Sequence, residues 1–218
     1  MPPRQWAGKV SVYRGQGRSE VEIREVAEYL ARRGPRWPLT PTERADCAER
    51  LGLVSREEYL SPEAEAEALA AGPDGLPDAW LERVRDRLLV VTPYCWVNPK
   101  SRTAASRAGL WSFVVRGTAH HERAARRGDF KPGAPVRLVR EPDNQHDPHA
   151  IAVYAAGARD ITGYVPRGYA KRLAKLLDAG ADMVAVSTLG SAAGHKGVSL
   201  QVLVVERALW DHLNRAEK

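Results

Sequence analysis

The residues best suited to chemistry lie together in one stretch, Arg140 to Tyr154, which reads REPDNQHDPHAIAVY. Glu141, Asp143, Asn144, His146, Asp147 and His149 bring carboxylates that accept hydrogen bonds, an amide that both donates and accepts, and imidazoles that titrate near neutrality. Two readings of this set stand side by side. In one it is a polar loop, with Asp143 and Asn144 bonding nearby backbone and Pro142 and Pro148 fixing φ. In the other it is a binding loop displayed by a rigid scaffold. A metal is a further option, because His146, Asp147 and His149 are close in sequence and His120-His121 could approach them. A hydrolase or nuclease built on that metal is the enzymatic alternative. Against it, no HExxH and no cysteine pair accompany these residues. Both cysteines, Cys47 and Cys95, fall outside the region, and no GxSxG elbow presents a serine nucleophile. The glycine-rich run GSAAGHKG is not a phosphate loop, since Gly194 follows Gly190 one position too soon and His195-Lys196 stands where Lys-Ser or Lys-Thr is needed. On this count no catalytic residue, metal or cofactor is expected, and the role is read as non-enzymatic.

Basic residues surround the loop: Arg116, Arg123, Arg126, Arg127 and Lys131 before it, Arg140 within it, Arg167, Lys171, Arg172 and Lys175 after it. Between them lie His120, His121, His146, Tyr164 and Tyr169, flat rings that can stack on unpaired bases for about 1–3 kcal/mol each. For Lys171, Arg172 and Lys175 a solvated helix face accounts for the pattern at least as well. Arg167, at a helix start beside the GYVP turn, is the better candidate for a phosphate contact.

Strands must position these groups. LWSFVVRG, VRLVRE, AIAVYAA, ITGYVP, DMVAVSTL and GVSLQVLVV are short, rich in β-branched or aromatic residues and separated by Gly, Pro or Asp. One helix interrupts them, RGYAKRLAKLLDAG, with Tyr169, Leu173, Leu176 and Leu177 on one face and Gly180 as its stop. Six strands and one embedded helix suggest a small closed or partly closed barrel, which removes exposed sheet edges. Ahead of them the pattern is helical: a helix from Ser19 to Gly34, another capped by Thr42, starts at Ser55 and Ser61-Pro62, and a last one over Asp78 to Val91. The Pro-, Ser- and Gly-rich stretch at 99–110 reads as a linker. The predicted architecture is therefore α+β, a small helical domain at 1–98 followed by a barrel at 111–218 with one or two flanking helices.

Charge separates the halves in the same way. Residues 1–98 carry 14 basic and 16 acidic side chains and residues 99–218 carry 19 and 11, so the whole net +6 lies in the second half. An anionic partner fits that half, whereas the first half suits protein interaction, with Trp6, Trp37 and Trp80 as core or interface anchors. A helix-turn-helix built on the Thr42–Leu51 helix is the other option there, though the acidic EEYLSPEAEAEAL segment sits badly near phosphate. No apolar run reaches the roughly 18–20 residues of a bilayer span, and the cysteine usage suits a reducing cytoplasm.

The C-terminal half, about Trp111 to Glu206, resembles a HIRAN domain, a module of certain Swi/Snf-type fork-remodelling ATPases and of stand-alone bacterial proteins. FVVRG, LVREPDNQHDPHAIAVY, GYVPRGYAKRLAKLLDAG and a last strand pair carry the resemblance. It implies an OB-like β-barrel and binding of single-stranded DNA, in the best-known members at a free 3′ end. By the same resemblance Asp147 is the carboxylate for a terminal hydroxyl, and Asn144 orders the loop or touches the sugar. His146 and His120 stand near aromatic positions of the family, Tyr164 and Arg167 match its G-aromatic-x-x-basic stretch, and His195 or Lys196 completes the wall. Histidine in place of tyrosine gives a smaller ring that gains charge below roughly pH 6.5. The expected DNA contacts are therefore Arg116, His120, His121, Arg140, Asn144, His146, Asp147, Tyr164, Arg167, Lys171, His195 and Lys196. The expected partners are single-stranded DNA ends and, through residues 1–98, a helicase, nuclease or other repair or defence protein. A protein-only adaptor with a degenerate barrel is the remaining alternative.

Overall fold

In the computed structural model residues 62–84, 86–92, 96–194 and 199–215 are described. The helices read before Ser61, Trp6 and Trp37, both cysteines, and His195 and Lys196 lie outside them. Contacts divide the chain into two compact units, of which the second comprises residues 82–89 and 109–211 and the first takes the other described residues.

In the first unit, helix α1 (Pro62–Ala68) opens with proline at its first position, where the missing N–H costs nothing. Its Glu65 is 2% exposed. That carboxylate accepts the Asn98 N–H at 3.0 Å and the Ser101 hydroxyl, whose oxygen accepts the Ala104 N–H at 3.2 Å. Ser101 thereby caps helix α2 (Arg102–Ala108), which occupies the segment read as a linker and buries Ala104 and Ala105. Glu65→Ala leaves a part-buried N–H and hydroxyl without their acceptor, at about 1–3 kcal/mol. A thermal melt should record a drop of roughly 3–10 °C, and an unchanged midpoint would show that Glu65 holds nothing.

The expected helix over Asp78 to Val91 is instead a two-stranded sheet, β1 (Trp80–Val84) and β2 (Arg87–Val91). Trp80, Leu81, Val84 and Leu88 do fit a helical stripe. The contiguous run Leu88-Leu89-Val90-Val91 fits a strand equally, with burial deepening towards Val91, and a short apolar run cannot tell the two apart by period.

The second unit holds all six strands expected from the sequence: β3 (Trp111–Val114), β4 (Val136–Arg140), β5 (Ile151–Ala155), β6 (Gly163–Tyr164), β7 (Met183–Leu189) and β8 (Gln201–Glu206). Helix α3 (Glu122–Arg127) follows β3, α4 (Arg167–Asp178) follows β6, and α5 (Arg207–Leu213) follows β8. Strands pair antiparallel in two three-stranded sheets, ordered β3-β8-β7 and β4-β5-β6. Phe113, Val115, Ile151, Val153, Leu173, Val202 and Val204 are buried, and Phe113 meets the Tyr169 ring with centroids 5.5 Å apart.

The expected OB-like barrel does not close. The sheets meet at two isolated bridges, Pro135 with Val186 and Arg116 with Tyr164, and no ladder continues through either. At the second bridge, Pro166 has no N–H to extend the pairing. Pro135 stands at the first bridge, and β6 is two residues long and runs into Pro166. The result is a mixed α/β unit of two antiparallel sheets joined edge to edge.

Candidate nucleic-acid interface

The loop between β4 and β5 is ordered by its own side chains. The Asn144 Oδ1 accepts N–H groups of His146 at 3.0 Å and Asp147 at 3.2 Å, and its Nδ2 donates to Glu141 Oε2 at 2.9 Å. Asp147 Oδ1 accepts the His149 N–H at 2.8 Å. The turn bonding expected of this stretch is thus made by Asn144 and Asp147. Arg140 closes the loop from below. Its guanidinium donates to the carbonyls of Ala150 at 2.7 Å and Pro148 at 3.1 Å, and forms a two-point pair with Asp178 at the end of α4. Arg140 thus positions the loop and is 15% exposed at its side chain.

Asp147 keeps its second oxygen for the surface. Oδ2 lies 3.8 Å from the Arg167 Nε, with the arginine side chain 82% exposed and the aspartate 23%. Arg167 also reaches the His146 carbonyl, at 3.4 Å. Both contacts are long and solvated, worth about 0–1 kcal/mol, so Arg167 can exchange them for a phosphate at little cost. His146 is exposed beside them. Lys171 is exposed one turn along α4, on the stripe that Arg167 begins and Lys175 continues.

A second group joins this one through Glu141. Burial, then the Glu141 charge and its hydrogen bond, raise the Tyr164 phenol above its ordinary 10.0. Tyr164 therefore stays a neutral donor to Glu141 at neutral pH, an arrangement present below pH 10 and lost only as the phenol ionises above it. Its backbone exchanges hydrogen bonds with Arg116 at 2.8 and 2.9 Å. Gly163 makes that approach possible, since a Cβ there would stand 2.4 Å from the Arg116 carbonyl oxygen. The His121 ring lies 6.1 Å from the Tyr164 ring. His120, exposed on the same turn, lines an open depression of about 650 Å³ with Arg123, Tyr154 and Arg159.

The structure thus brings Asn144, His146, Asp147 and Arg167 into one group and Arg116, His121 and Tyr164 into another, with Glu141 between. His120 sits to one side. Among the described residues no three His, Cys, Asp or Glu side chains converge as metal ligands. Sequence reading named Glu141 without assigning it a site. The alternation in VRLVRE, which puts Arg137, Val139 and Glu141 on one face, was the available signal.

Comparison with known proteins agrees with the resemblance. The family model described as the HIRAN domain matches residues 108–205. A Fanconi-associated nuclease 1 homolog of Oryza sativa subsp. japonica is 39% identical over 80 residues, which are 36% of this chain and 8% of that protein. The chain therefore spans a small part of that relative's length. The expectation of a non-enzymatic protein is corrected by this match, which is to a protein named as a nuclease. Two solved structures are similar. A Lactobacillus plantarum protein is 25% identical, with 44% of this chain and 92% of that one covered and a TM-score of 0.36. The HIRAN domain of human HLTF is 22% identical, with 47% and 82% covered and a TM-score of 0.32. Among the described residues no helix is long and apolar enough to cross a membrane. The family model takes in β3 to β7 and nearly all of β8, where the motifs of the resemblance lie, so residues 108–205 match the HIRAN domain.

Proposed function

We propose that the domain at 111–218 binds single-stranded DNA at a free 3′ end, in DNA repair or fork processing, and that residues 1–98 couple it to a helicase, nuclease or other repair or defence protein. The HIRAN domain match supports DNA binding, and the Fanconi-associated name of the rice relative supports the repair setting. The observation that carries the end-reading is Asp147. One carboxylate oxygen is fixed by the loop and the other faces an exposed, loosely held arginine. A terminal hydroxyl donates to that second oxygen while Arg167 takes the adjoining phosphate, and a 3′-phosphate in the same place meets like charge. Asn144 holds the loop, Tyr164 and His146 offer rings for the bases, and Arg116 and Lys171 face the phosphates. Arg140 acts through the loop.

The test is fluorescence anisotropy with strands ending in a 3′-hydroxyl or a 3′-phosphate. The unmodified protein should prefer the hydroxyl. Asp147→Ala should remove that preference, lowering affinity for the free end about tenfold or more, the cost of a hydrogen bond to a charged group. Arg167→Ala should weaken both strands alike, by about fivefold. Equal losses on the two ends for Asp147→Ala would rule out a terminus-reading carboxylate.

A further inference from the structure

A strip of side chains leads away from the loop across the outer face of the β4-β5-β6 sheet. Tyr164 pairs with Ala152 and Arg137 with Tyr154, so by the two-residue alternation Tyr164, Tyr154, Arg137 and Glu141 share one face. Tyr154 is the diagonal neighbour of Tyr164, a step of about 7–8 Å, comparable with one nucleotide of an extended strand. The Arg137 guanidinium sits 4.1 Å from the Tyr154 ring centroid and donates to the Ala158 carbonyl at 3.0 Å, which fixes both groups. Beside them lies the depression walled by His120, His121, Arg123 and Arg159, with Ile161 among its lining. Arg123 and Arg159 are exposed. Two acidic groups border the strip: Asp160, which also lines the depression, and Glu122, which is paired with Arg126 at 2.5 Å. His121 joins the strip to the first site, since its ring touches Tyr164 and its side chain lines the depression.

We infer that this strip is a second nucleic-acid subsite, a track on which the single strand leaving the loop runs over Tyr154 with its phosphates held by Arg137, Arg159 and Arg123. The inference rests on the reading of the loop as the place where the strand ends. The chemistry is that of single-strand binders generally: rings give sequence-tolerant stacking, and arginines follow the backbone. Arg137 meets both needs, stacked on the ring with most of its five N–H donors unused by the Ala158 bond. A track that continues beyond Tyr164 makes affinity depend on strand length, whereas an isolated end pocket does not.

The double variant Arg123→Ala/Arg159→Ala tests it on the full chain, because both side chains are exposed and their removal leaves the core untouched. Anisotropy is read with a trinucleotide and a twelve-nucleotide strand, each with a free or phosphorylated 3′ end. The unmodified protein should hold the longer strand more tightly. The variant should lose about tenfold on the longer strand and nothing on the trinucleotide, and its salt slope on the longer strand should fall by about 1.4, two contacts at about 0.7 each. Equal losses on both lengths, or none on the longer, overturn the track. End preference is read separately in the same experiment. A length-dependent loss in a protein indifferent to the 3′ end would keep the track and sink the end-reading, and a preserved end preference with no effect of the variant would do the reverse.

Discussion

Asn144→Ala should cost this protein at least tenfold in single-strand affinity while leaving the fold in place. One short side chain makes three of the bonds that shape the loop, accepting from His146 and Asp147 and donating to Glu141. Alanine leaves those N–H groups to water and frees the loop to sample other shapes, so binding must bear the cost of ordering it again. The same change also releases Glu141 from one partner, which loosens the link to Tyr164. The loop is half-exposed, so the stability loss should stay near 1 kcal/mol and the melting midpoint within a few degrees. Asn144→Asp separates the two roles. It keeps an acceptor for both N–H groups, loses the donor to Glu141 and sets two carboxylates side by side, so its affinity should fall between the other two. An Asn144→Ala protein that binds as well as the unmodified one would show that the strand is held elsewhere.

Affinity for a twelve-nucleotide strand should fall about three hundredfold between 50 and 200 mM monovalent salt. The estimate follows from counterion release, at about 0.7 per phosphate contact for a single strand. Arg116, Arg167 and Lys171 at the loop and Arg137, Arg123 and Arg159 on the track are all exposed, and as six contacts they give a slope near −4.2. If the strand stops at the loop, three contacts remain and the same salt range costs only about twentyfold. A flat response would remove phosphate recognition from the account altogether. The acidic balance of residues 1–98 makes no contribution of this kind, consistent with the charge excess lying in residues 99–218.

The strands were legible because each is bounded by Gly, Pro or Asp and dense in β-branched residues, signals that act within a few positions. The helix Arg167–Asp178 was legible for the same reason, with Leu173 on its buried face and Gly180 at a positive φ beyond its end. Trp80 to Val91 was misread because its apolar residues satisfy both periods, and so short an apolar run does not choose between them. Arg140 shows the limit for a site residue. In sequence it is one more arginine in a basic cluster; in the fold it grips Asp178, 38 positions on, and the far end of its own loop.

Local spacing alone therefore established the six strands, the loop that carries Asn144 and Asp147, and the helix that begins at Arg167, since turns, alternation and capping are decided by adjacent residues. Pairing across long separations decided the rest. It set two sheets in place of a closed barrel, linked Glu141 to Tyr164, brought His121 over that ring, and lined up Tyr154 with Arg137. Such contacts depend on which strand edges meet and where a proline withholds its N–H, and no window of neighbouring residues contains that information.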